Sequence, residues 1–490
     1  ARSDRDYPRT WDTGRGSGPM KKKISGKARG QTRQSMKFCG SISLALCVIL
    51  PVVILLYSSV LMNCRRVREE TDLIRGAVSI GEAALALYDR DLYAAYGLFG
   101  IDGRELDQAL SSLIGPSPGA KYQIIPEREL SDVDALKDGI ARHMTIRGAT
   151  NLILDMIDKF RTIESLVSDI PIADFSDSCP PVLTSGLESI DPDLGYHDEV
   201  PEWFDEYNLY MNDEVRSVYQ EGLSHLAPIV LPKENGEIET CAFNPFDNSG
   251  LDKLGAVLDN ALFTVPEGML DRLVMSEYSL AYFKSDVPYV IRDGVRRDDT
   301  TPDGRLISFF AESRDHEVEE IATGLEGNKA KRVILLFIGT SRFAIHLLHV
   351  LTDEALRAEY RTAAAVIAVA VAAISLGEVA LNPEALAWIL MVSAALVHAA
   401  EDAALMSKGY EVDFWPGYLK TNIPMHYRDF IRMLIVLQSP DVIASRIGRV
   451  IDRVMPGPYY VAVRCQADWD NVSVSHAACF ISRQPDPAIP

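Results

Sequence analysis

Two groups of residues have side chains and spacing that could do chemistry. Asp89, Arg90 and Asp91 place two carboxylates around a guanidinium inside the stretch YDRDLYAAYGLFG, residues 88–100. Paired carboxylates serve general acid–base catalysis only when both reach the same substrate. Residues two apart on a helix point in different directions, so Asp89 and Asp91 cannot form an acid pair on one helical face. Tyr88, Leu92, Ala95 and Phe99 share a helical stripe instead, extended by Tyr93 and Tyr96. The stretch reads as an amphipathic helix end whose aromatics pack on a body, with Gly97 and Gly100 ending the helix.

The second group is His346, His349 and Asp353, spaced three and then four apart on an apolar helix. Such spacing could hold a metal, but H-E-x-x-H is absent and no third ligand is fixed, so core or interface histidines are the favoured reading. An acidic stretch, DPDLGYHDEVPEWFDE, holds Asp191, Asp193, Asp198, Glu199, Glu202, Asp205 and Glu206. It does not follow the calcium-loop pattern and reads as a solvated loop. Ser185-Gly186 and FIGTSRF do not match G-x-S-x-G, and neither a P-loop nor G-x-G-x-x-G occurs. The sequence therefore assigns no catalytic residue, no metal ligand and no cofactor.

The elements that would position these groups follow from charge and hydropathy. The chain has 490 residues and a net charge of −20, which argues against a nucleic-acid partner. Residues 1–37 hold eleven Lys/Arg against three Asp. Residues 38–64, FCGSISLALCVILPVVILLYSSVLMNC, carry no charge. About 20 apolar residues span a bilayer core, and this run exceeds a secretory h-region of roughly 7–15. An uncleaved transmembrane helix is expected. Lys21, Lys22, Lys23, Lys27, Arg29, Arg33 and Lys37 precede it without an acid among them. Arg65, Arg66 and Arg68 follow, with Glu69, Glu70 and Asp72 close behind. This bias places the N-terminus in the cytoplasm and the body outside. MKKKISGKARG at Met20 looks like a natural start, so residues 1–19 are left out of the fold reasoning. The seven cysteines form no C-x-x-C pair, which leaves zinc and thioredoxin-type sites without support.

The expected fold is α+β and mostly helical, with the N-terminal transmembrane helix continuing as a stalk into an extracytoplasmic body. The expected segments are a basic cytoplasmic head at 1–37, the transmembrane helix at 38–64 and an amphipathic stalk helix at 65–100. A mixed α/β region at 101–316 follows, then a helical region at 317–458 and a tail at 459–490 with one or two strands. The stalk is expected to break near Gly76 or Gly81. Helices are expected at 328–360, 362–376, 384–407 and 425–455. VPYVIRDGVRRDDTTPDGRLISFFAE suggests a hairpin or an exposed insertion. The uncharged stretches 362–377 and 385–400 are short for spanning, so a buried helical hairpin is favoured over a membrane hairpin.

ISGKARG, the apolar span and YDRDLYAAYGLFG together resemble an uncharacterised family of membrane-anchored proteins of Gram-positive bacteria, related to the TadE/TadG-like pilin-type proteins of tight-adherence (Tad) loci. EYSLAYF at 277–283, EVEEIATG at 317–324, the AWILMVSAALVHAAED segment and YRDFIRMLIVL at 427–437 resemble further blocks of that family in order. Within EVEEIATG the resemblance singles out Glu317, Glu319 and Gly324. In the TadE-like pattern a proline stands eleven residues after a glycine of a Gly-Ser pair; Gly40, Ser41 and Pro51 keep that spacing. The pattern's glutamate falls on Ala45, which points to an accessory component rather than a major pilin. The resemblance implies a non-enzymatic part of a pilus or secretion assembly, with the membrane and assembly proteins as partners. The alternatives are an extracytoplasmic ligand-binding or sensor protein, with a concave polar pocket, and a surface hydrolase with two carboxylates about 5–10 Å apart.

Overall fold

The computed structural model describes residues 39–104, 106, 120–146, 161–162, 229–241, 268–300, 314–374, 382–416, 423–469 and 472–480. The chain divides into two compact units, Ala1–Glu69 and Glu70–Pro490. Helix α1, Cys39–Leu85, runs through the boundary and through Pro51 without interruption. In the first unit its side chains from Leu46 to Arg68 are exposed: Leu55 is 70% and Met62 75% accessible. Among the described residues three helices are long and apolar enough to cross a membrane, but their apolar windows differ in burial. That of α1 is 0% buried, against 72% for Asn328–Thr352 and 44% for Pro383–Ser407.

In the second unit, the end of α1 lies against an antiparallel sheet. Strands β1 (Ile101–Asp102), β2 (Lys121–Glu129) and β10 (Val472–Cys479) all pair with β9 (Tyr459–Trp469). Leu73 and Ala77 of α1 pack on Cys465 and Ala467, and Ala84 packs on Ile124, Val463 and Ala478. The expected break at Gly76 or Gly81 does not occur. A Cβ at Gly76 would meet Tyr122 Oη at 2.4 Å, so this glycine admits the sheet to the helix rather than ending it. The stalk helix expected over 65–100 is two helices, α1 ending at Leu85 and α2 (Arg90–Tyr96). Of the strands expected in the tail, β9 forms the middle of the sheet and β10 pairs with β9 alone.

The remaining described elements of the unit are mostly helices. In order come α3 (Val133–Ile146), the hairpin β3 (Ile229–Pro232) and β4 (Ile238–Cys241), and α4 (Met269–Tyr282). The hairpin β5 (Tyr289–Arg292) and β6 (Val295–Asp298) follows, then α5 (Glu317–Thr323) and α6 (Asn328–Thr352). Next are α7 (Glu354–Ile374), α8 (Pro383–Ser407), the short strands β7 (Val412–Asp413) and β8 (Pro424–Met425), α9 (Tyr427–Val436) and α10 (Pro440–Val454).

Boundaries follow local chemistry. The helix expected over 328–360 stops at Thr352 because Asp353 Oδ1 accepts from the N–H groups of Ala355 and Leu356, capping α7. The helix expected over 425–455 splits because Ser439 caps α10 and Pro440 occupies its first turn. One apolar core joins α2, α3, α4, α5, α6, α8, α9 and α10. Helix α6 runs through it, with Phe337, Ile338, Ile345 and Leu347 fully buried. Each such side chain contributes about 1.5–3 kcal/mol of burial free energy. Helix α8 packs on α6, while α7 keeps Val366 and Val369 exposed. Helix α8 is thus buried over 386–393, and α7 is open at Val366 and Val369.

Candidate functional site

The blocks 88–100, 277–283, 317–324 and 427–437 share one apolar core and carry several buried ion pairs. The first block supplies α2. Asp89 is its N-cap, and Oδ1 accepts from the N–H of Asp91 at 2.8 Å and of Leu92 at 2.9 Å. Gly97 closes the helix in the left-handed conformation, φ 68°. Arg90 and Asp91 are exposed. The Asp-Arg-Asp cluster is thus a cap followed by a solvated turn. Tyr88 and Tyr93 close on Phe99 with ring centroids 5.1 and 4.6 Å away, and Phe99 stacks on Phe480. Leu92 and Tyr96 are fully buried. Tyr96 packs on Phe283, its carbonyl accepts from the Tyr278 hydroxyl at 2.8 Å, and the Arg314 guanidinium lies 4.8 Å from its ring centre. Burial raises the Tyr96 and Tyr278 hydroxyls above their ordinary pKa, Glu317 adding to the rise at Tyr96.

Helix α5 is buried at every residue although three of its seven are glutamates. Glu317 takes Nε of Arg314 at 2.9 and 3.0 Å and the Lys284 N–H at 3.0 Å. Glu319 Oε1 accepts from Ser285 Oγ at 2.7 Å and the Asp286 N–H at 2.9 Å. Glu320 accepts the Gly327 N–H and pairs with Arg453 at 2.7 Å. Burial raises the pKa of both Glu317 and Glu319, against the bonds that favour their charged forms. Oε2 of Glu319 and the hydroxyl of Tyr427 are neighbours, and both are buried without a hydrogen bond of proper geometry. Burial and then Glu319 push the Tyr427 hydroxyl upward.

Helix α9 carries a second group of ion pairs. Arg432 bonds Glu277 of α4 and Asp429 of its own helix. Asp429 also accepts the His426 N–H at 2.9 Å, forming a capping box. Burial would lower the Arg432 pKa, but Glu277 and Asp429 outweigh it and raise the value. Arg428 pairs with Asp299 at 2.6 Å. Chemically, Glu277, Glu317, Glu319 and Glu320 are cross-links between elements, each held by an arginine or by backbone and hydroxyl donors.

The sequence readings are placed as follows. Gly40, Ser41 and Pro51 lie in α1. Tyr88, Leu92, Tyr93, Tyr96 and Phe99 form the aromatic contact, and Glu317, Glu319 and Gly324 lie in and after α5. His346 and His349 do not share a metal site with Asp353, whose side chain caps α7. Among the described residues no three His, Cys, Asp or Glu side chains gather as metal ligands would. The acidic stretch 191–206 and Ser185-Gly186 lie outside the described residues. Sequence reasoning missed Arg314, Glu277 and Arg432 as partners. For Glu277 and Arg432 the available signal was a charge on the apolar side of an amphipathic helix. No known protein family, characterised protein or solved structure matches the chain.

Proposed function

We propose that this protein is a membrane-anchored structural or assembly component of a Tad-like pilus or secretion apparatus. The observation that carries the reading is the two-part use of α1. Its first part presents an apolar surface with none of its membrane-length window buried, and its last part packs on an antiparallel sheet. This is the plan of a pilin-type subunit, and the resemblance of the sequence blocks agrees with it. The lysine- and arginine-rich flank before the span orients the head inward and the body outward. The body then serves as a rigid block for protein contacts, its helices tied by the buried ion pairs of α4, α5 and α9.

The test has two arms. Cells stripped of their wall are treated with protease, and the body is followed by an antibody to its C-terminal half. Digestion of the body in intact cells is expected, and full protection overturns the orientation. Affinity purification of the full chain from detergent-solubilised membranes is expected to co-purify pilus-assembly proteins. Recovery without them overturns the assembly role.

A further inference from the structure

Four arginines are buried among the described residues: Arg272, Arg314, Arg342 and Arg446. Three have a carboxylate partner, Glu234 at 2.6 Å, Glu317 at 2.9 Å and Asp402 at 2.5 Å. Arg446, 6% exposed, has none. Its hydrogen bonds go to neutral acceptors: the carbonyls of Ile321, Ala322 and Gly236 and the Gln438 side-chain oxygen. A buried charge without a counter-ion is expensive, and carbonyl dipoles offset it only partly. Burial, with Arg449 adding to it, pushes the Arg446 pKa down to about 10.

Arg446 also lines an open cleft of about 660 Å³, formed by the turn of the β3–β4 hairpin, β4, the end of α5, α6 and α10. Gly324 (φ 74°) and Gly236 (φ 84°) lie against its guanidinium, and a Cβ on either would come within 2.8 Å of it. Lys233 and Glu239 on the rim pair with each other at 3.1 Å. That leaves Arg446 and Arg449 against Glu237, a positive site on a chain of net charge −20. Guanidinium groups favour planar or tetrahedral oxyanions, which accept two N–H groups at once.

We infer that this cleft binds an oxyanionic ligand group, a carboxylate or a phosphate, between Arg446 and Arg449. The ligand supplies the counter-charge that the other three buried arginines obtain from the chain. The site is independent of the assembly role. It is tested on the full chain in detergent, by thermal unfolding with citrate, with inorganic phosphate and with sodium chloride at matched ionic strength. Citrate or phosphate is expected to raise the midpoint with saturation, which sodium chloride does not do. Saturation by citrate alone identifies a carboxylate site, and by phosphate alone a phosphate site. R449Q, on an exposed side chain, is expected to weaken the apparent affinity about tenfold, and R297Q on the β6 strand to leave it unchanged. The inference is overturned if neither anion acts beyond sodium chloride, if R449Q binds as the parent does, or if R297Q weakens binding equally.

Discussion

His346 on α6 takes its partner from α8, with Nε2 2.7 Å from Oδ2 of Asp402. The same oxygen receives Nε of Arg342 at 2.7 Å, and Arg342 donates onward to the Phe414 carbonyl at 2.7 Å. His349, one turn along, meets the edge of Trp415 instead. One carboxylate thus holds two cationic or polar side chains of the central helix, and joins α6 to α8 through the core.

Replacing Asp402 by Asn is expected to destabilise the protein by about 3–5 kcal/mol, because Arg342 would stay buried without its direct ion-pair partner. Urea unfolding of the full chain in detergent checks this. An effect below about 1 kcal/mol would show that Arg342 is reached by water.

Glu277 and Arg432 are expected to be strongly coupled. R432M strands the buried Glu277 and costs about 3–5 kcal/mol, E277L leaves Arg432 paired with Asp429 and costs less, and the double substitution costs less than the sum of the two. A double-mutant cycle by chemical unfolding measures this. Additive losses would mean that the two side chains do not share a buried contact.

The raised pKa of Glu319 fixes the sign of a pH effect. An acid whose folded value lies above its ordinary 4.5 stabilises the fold fully below that value. That contribution is lost as pH rises through the folded value. E319Q abolishes the dependence, so the stability of E319Q relative to the parent is expected to increase as pH rises from 4.5 toward 8. His426, lowered chiefly by burial, slopes the other way below 6.5, but it is present in both proteins and cancels in the difference. Unfolding of both proteins across that range tests the sign. A flat difference would remove Glu319 as a titrating group.

Asp89 and Asp91 separate by role. D89A is expected to cost about 1 kcal/mol through loss of the α2 cap, and D91A to lie within about 0.5 kcal/mol of the parent. Thermal unfolding compares them. Equal losses would mean that the cap bond is not the source.

Much of the fold was legible because local signals decide it. The uncharged span 38–64 requires one long apolar helix, VPYVIRDGVRRDD folds as a hairpin, and MLDRLVMSEYSLAY forms a helix from its own periodicity. Boundaries were less legible, since Asp353 and Ser439 act as caps only when a neighbouring helix begins there. The candidate site was legible as blocks but not as contacts. YDRDLYAAYGLFG showed an aromatic stripe without showing that Phe480, Phe283 and His143 receive it.

By itself the sequence determined the bare apolar helix, the helical character of the body and the impossibility of a one-face Asp89–Asp91 acid pair. These depend on spacing of about a turn or on charge summed along a segment. Only the tertiary structure decided that Glu277 meets Arg432, that Asp402 rather than Asp353 serves His346, and that Arg446 is left without a carboxylate. A buried charge is settled by whichever group the fold brings within a few ångströms, and that group stands 155 residues away for Glu277 and 56 for His346.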